Sequence, residues 1–104
     1  LHPPFNNKKA RQALLNMMDQ VTYLAWSLGQ SQYYRACRSV FACGGAYNTA
    51  IGAEPIMEHD LTKAKQLVKE SGYDGRPIVV LHITDIPWLN AAAIVATPSA
   101  ILLT

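Results

Sequence analysis

Cys37 and Cys43 stand six residues apart in the stretch RACRSVFACGGAY, around an apolar tip of Val40 and Phe41. A thiolate can attack a substrate, bind a metal or be oxidised, so this pair is where chemistry would first be sought. A redox centre of the CxxC type needs the cysteines three apart, which this spacing does not provide. Zinc calls for four ligands, and His59 and His82 sit at no recognised spacing from the pair. Two states remain open from the residues alone: free thiols packed as small hydrophobes, or a covalent clasp. The clasp carries a geometric condition. In a strand, residues six apart are separated by ~20 Å, whereas a disulfide wants Cα atoms about 5.5 Å apart. The segment would have to double back, with Ser39, Val40, Phe41 and Ala42 at the turn.

An acid–base or thiol enzyme would set Cys37 or Cys43 beside His59 or His82, with Asp60 or Asp85 orienting the imidazole. Nothing in the spacing brings those groups together, and no GxSxG, HExxH or phosphate-loop pattern occurs. Asp60 and Asp85 are better placed as helix caps, and His82 lies in an apolar run where a hydrogen-bonded structural histidine is the plainer reading. Glu54 and Glu58 fall in a loop without a partner. The expectation is a protein that is not an enzyme, with no catalytic residue, no metal ligand and no cofactor.

Two helices are clearly written. In NNKKARQALLNMMDQ, Ala10, Ala13, Leu14, Met17 and Met18 recur at the spacing of one buried face, with Asn6 or Asn7 as cap and Pro3-Pro4 holding the lead-in extended. In DLTKAKQLVKESGYDG, Asp60 caps, Leu61, Ala64, Leu67 and Val68 make the stripe, and Gly72 ends it. VTYLAWSLG reads as a shorter helix closed by Gly29, with Tyr23 and Trp26 as core or interface aromatics. From Gln30 to His59 no period holds, although the stretch carries Tyr33, Tyr34, Phe41, Tyr47 and Ile51.

Further on, PIVVLHI predicts a strand. Ile78 to Leu81 are apolar without alternation, as in a parallel strand covered on both faces. TDIPWLNAAAIVAT predicts another helix, capped by Thr84 or Asp85, with Pro87 in its first turn and Leu89, Ala92, Ala93 and Ala96 inward. Pro98 should stop that helix, leaving Ala100–Thr104 as a second strand and a right-handed βαβ unit near the C-terminus. The expected class is therefore α/β: three or four helices with one or two parallel strands. Two strands cannot cover a doubly apolar one, so residues 1–104 read as a single partial domain of a larger body.

Composition narrows the function. Half of the 104 residues are apolar and 15% are charged, which suits a folded domain. A net charge of +2, spread over Lys8/Lys9/Arg11, Arg35/Arg38 and Lys63/Lys65/Lys69, does not argue for nucleic acid. No apolar run approaches the roughly 18 residues that span a bilayer. The opening LHPPF has neither an initiator Met nor the pattern of a signal peptide, which suggests a processed or excised piece.

The spelling of two segments adds a resemblance. HPPFNNKKARQALLNMMDQ and, later, DLTKAKQLVKESGYDGRPIVVL resemble the family 5 extracellular solute-binding proteins, the peptide-, dipeptide- and nickel-type receptors of ABC importers. The resemblance runs from Leu1 to about Val95 and leaves ATPSAILLT unassigned. Members are several times longer and have two lobes that close over a ligand, so this chain resembles part of the C-terminal lobe. The resemblance implies a periplasmic-binding-protein-like fold, a small-molecule or peptide ligand, an ABC permease as partner and an extracytoplasmic location. It carries no ligand-contacting residue over to this chain. CRSVFACGGAYNTAIGAEP is similar to a subset of the family with a cysteine pair there, and an oxidising compartment permits a disulfide, so a Cys37–Cys43 clasp is expected. An isolated chain of this kind should self-associate through its uncovered apolar strand. The alternative is a small intracellular interaction module that uses the aromatic loop 33–47.

Overall fold

The computed structural model describes residues 1–101, and within them the chain is helical with no strand. The helices are α1 (Lys8–Met17), α2 (Gln20–Leu28), a single turn α3 (Glu54–Met57), α4 (Leu61–Glu70) and α5 (Pro87–Ile101). A 3₁₀ turn at Ser31–Tyr33 follows α2.

Helix α1 begins where Asn7 Oδ1 accepts from the Lys9 N–H at 2.8 Å, relieving one of the orphan donors of the first turn. Helix α4 begins in the same way, with Asp60 Oδ1 accepting from the Lys63 N–H at 2.9 Å. The two lie antiparallel and form the main helix pair. At one end Lys9 Nζ meets Glu70 Oε2 at 2.7 Å and Asn7 Nδ2 donates to the Ser71 carbonyl at 3.2 Å. At the other, the Asp60 N–H donates to the Asn16 carbonyl at 2.9 Å. Between these ends Ala13, Met17 and Ala64 are buried, small side chains that let the helices approach closely. A cavity of about 60 Å³ remains beside this seam, bordered by Phe5, Leu14, Val68, Tyr73 and Ile78.

Helix α2 starts at Asp19, whose carboxylate accepts from the Thr22 hydroxyl at 2.6 Å and from its N–H at 3.4 Å. It ends at Gly29, whose φ of 78° lies where only glycine sits without strain. Helix α5 packs against α2, with Leu89, Ala92, Ala93 and Ala96 half-buried and Trp88 and Ile94 exposed.

Several expectations are corrected. The α/β class does not hold. Residues 77–83 form no strand and pair with nothing among the described residues, where no second strand forms: α5 continues through Pro98 and takes in Ala100 and Ile101, while residues 102–104 of the expected strand lie outside the described residues. An interior proline removes one helical hydrogen bond, a loss this helix absorbs. Ile86, rather than Thr84 or Asp85, supplies the first carbonyl of α5, accepting from the Asn90 N–H at 2.9 Å. Met18 leaves the buried stripe because α1 ends one residue earlier and Met18 turns extended. The Pro3-Pro4 lead-in is a turn with a cis peptide, and Asn6 and Asn7 donate back to the His2 and Pro4 carbonyls.

The chain exposes 7545 Å², against ~5,800 Å² for a compact monomer of this mass. Its radius of gyration is 14.6 Å, against ~13 Å for a compact domain of this length. The helices therefore close a narrow core and leave much apolar surface outside it.

Candidate functional site

Residues 30–53 are the longest stretch without an α-helix, yet they are held at several points. Cys37 and Cys43 form a disulfide with Cα atoms 5.9 Å apart, so the segment does double back over its Val40–Phe41 tip. Gln20, the first residue of α2, grips the same place from outside. Its Oε1 accepts from the Cys37 N–H at 2.5 Å and its Nε2 donates to the Cys37 carbonyl at 2.9 Å. One primary amide thus satisfies both backbone groups of one residue, as a neighbouring strand would. Arg35 Nη2 donates to the Cys43 carbonyl at 3.3 Å, and the Thr49 N–H donates to Ser39 Oγ at 3.4 Å. The Phe41 and Tyr47 rings tilt against each other with centroids 5.9 Å apart.

Helix α1 and this loop enclose an apolar groove of about 470 Å³, lined chiefly by Leu15, Val40, Phe41, Ile51, Ala53 and Met57. A second hollow of about 180 Å³ shares Leu15 and Met57 with it and adds Met18 and Tyr23. Thr49 supplies a hydroxyl, and no titratable side chain lines the larger groove. Such a lining can hold an apolar group and cannot move a proton.

The sequence candidates fall as follows. Both sulfurs are consumed in the disulfide, so neither Cys37 nor Cys43 offers a thiolate. Asp60 caps α4, and His82 Nε2 lies 2.5 Å from Asn90 Oδ1. Asp85 makes no hydrogen bond or ion pair among the described residues, and no three His, Cys, Asp or Glu side chains there gather as a metal would require. Of the aromatics, Tyr33, Phe41 and Tyr47 are exposed and Tyr34 is half-buried. Asp19, at the start of α2, is held below the usual carboxylate range, first by the Thr22 hydroxyl and further by the charge of His59.

Two residues matter here that the sequence reading passed over. Gln20 carried no signal, since an exposed Gln at a helix start is ordinary. Asn16 did carry one, because it is a polar residue three past Ala13 on a face of apolar neighbours. It is fully buried, and its Nδ2 donates to the carbonyls of Pro55 at 3.2 Å and Glu58 at 2.9 Å, anchoring the end of the irregular segment to α1. Its Oδ1 is buried without a hydrogen-bond partner among the described residues.

No family model matches the chain. Over 100 residues it is 42% identical to the probable peptide ABC transporter periplasmic-binding protein of Sinorhizobium fredii (strain NBRC 101917 / NGR234). The match takes in 92% of this chain and 18% of that protein, so the chain spans less than a fifth of the relative's length. The likeness supports a stretch of a solute-binding protein, and the disulfide is consistent with a setting outside the cytoplasm. Among the described residues no helix is long and apolar enough to cross a membrane.

Proposed function

We propose that this chain is part of the solute-capturing component of an ABC importer of the family 5 type. It forms a stretch of the C-terminal lobe of a two-lobe protein that takes up a peptide-like solute outside the cytoplasm and presents it to a membrane permease. The observation that carries this reading is the 42% identity to a periplasmic-binding protein over nearly the whole chain. Nothing in the chain points to catalysis. Capture in such a protein rests on differential affinity: ligand held between two lobes favours their closed arrangement. The clasped aromatic loop contributes apolar wall to that work. Its disulfide favours this reading over an intracellular interaction module built on residues 33–47, because thiols are kept reduced in the cytosol.

A chimera tests the reading. The matching stretch of the Sinorhizobium protein is replaced by residues 1–95 of this chain, and peptide binding is followed by calorimetry. The expected outcome is peptide affinity within about tenfold of the parent's. A folded chimera that binds no peptide, where the parent does, would overturn it.

A further inference from the structure

The elbow between α1 and α2 holds the irregular segment near both of its ends. Asn16 lies in the last turn of α1 and Gln20 opens α2, and each spends its primary amide on two backbone groups of residues 37–58. Gln20 takes the N–H and the carbonyl of Cys37, which fixes the direction of that peptide as well as its place. Asn16 takes the carbonyls of Pro55 and Glu58 across α3, and Lys63 Nζ also reaches that of Pro55. The elbow is itself pinned: the Met18 N–H donates to the Leu15 carbonyl at 3.3 Å, and the Asp19 carboxylate ties the start of α2 through Thr22. All these bonds join residues of this stretch to one another, so they do not depend on what a longer protein packs around it.

We infer that Asn16 and Gln20 are positioning residues that hang both banks of the apolar groove from one elbow, so that residues 37–58 form a preformed wall rather than a loop that orders around a ligand. The disulfide extends the hold on Cys37 to the whole ring closed by Cys43, which carries Val40 and Phe41. The hold on α3 sets Met57 and the preceding Ala53. These four side chains line the groove together with Leu15, the neighbour of Asn16, and Gln20 and Met57 border the adjoining hollow of about 180 Å³, where the two holds meet. For what the wall serves, capture of a peptide-like solute, the inference rests on the transport reading. A wall already in place spares the ligand the entropy of ordering it. Apparent affinity then falls with the fraction of molecules in which the wall is out of place.

Gln20→Met is the deciding variant, because it keeps the length and helix preference of an exposed side chain and removes both bonds to Cys37. In the full chain, amide hydrogen exchange read residue by residue by NMR should quicken about tenfold at Cys37, with residues 38–43 following, and stay within about twofold in α1 and α4. That contrast separates a released wall from a chain loosened throughout. In the chimera that carries residues 1–95, the same substitution should weaken peptide binding about fivefold. Exchange at Cys37 that Gln20→Met leaves unchanged overturns the hold, whether or not the chimera binds peptide. Faster exchange with unchanged peptide affinity overturns the positioning role and leaves the transport reading intact. A parent chimera that binds no peptide overturns the transport reading and with it the role in capture, while the exchange arm, which needs no ligand, still decides the hold.

Discussion

Replacing Asn16 by Ala would take a side chain from a site with no access to water and remove the donor to the Glu58 carbonyl, whereas the Pro55 carbonyl would keep its bond from Lys63 Nζ. Losing the hydrogen bonds of a fully buried side chain costs more than one surface bond is worth, so Asn16→Ala should destabilise the chain by about 1–2 kcal/mol in urea melts. Asn16→Asp should cost at least as much at pH 7, since a carboxylate would then face carbonyl oxygens. Surface carboxylates set a separate, pH-dependent response. Asp74 is held down to about 2 from an ordinary 3.8 by its hydrogen bonds and charge pairing with Arg76, Glu70 is lowered by Lys9 and Gln66, and Asp19 by Thr22 and His59. Each folded value lies below the unfolded one. Their stabilisation is therefore complete above the ordinary carboxylate range and is lost as pH falls through the folded values. The urea midpoint should hold steady from pH 7 to pH 5 and fall between about pH 4.5 and about pH 2. Asp74→Asn should flatten the last part of that fall.

At the scale of elements, local signals and non-local ones separate cleanly. The caps Asn7 and Asp60, the stripe of Ala13, Met17 and Ala64, and the stop at Gly29 are set within a few residues, and each was legible. The strand at Ile78–Leu81 was not settled by its residues, because a ladder depends on a neighbour that lies elsewhere in the sequence or in another chain. Pro98 misled for a related reason. Its local preference is to break a helix, and α5 nevertheless carries on to Ile101. The site divides in the same way: the doubling back between Cys37 and Cys43 follows from their spacing once they are joined, but the grip of Gln20 on Cys37 links positions seventeen apart and leaves no mark in either one. The clasp is directly testable. Protein denatured without reductant should take up no alkyl group, and two added groups by mass would refute the bond. Closing so short a loop contributes roughly 2 kcal/mol on the chain-entropy model. Cys37→Ser with Cys43→Ser should cost no more than that, while speeding trypsin cleavage after Arg35 and Arg38.

For the molecule as a whole, the decisive property is how little of it is enclosed. Beyond the α1–α4 seam, the groove beside Phe41 and Ile51 is open on its outer side, and its lining offers no charged group to hold a peptide terminus. Tight ligand sites bury most of the ligand's surface, and a two-lobe receptor gains its affinity from the closed state that both walls create. A single wall retains the apolar contact and loses the closure. If the proposed function is right, the isolated chain should therefore bind no di- or oligopeptide more tightly than about millimolar, a regime of only ~4 kcal/mol. Calorimetric titration with a mixed peptide library is the measurement. Saturable micromolar binding would mean that the whole site lies in these residues, and the placement of this chain as one wall of a larger cleft would have to be given up.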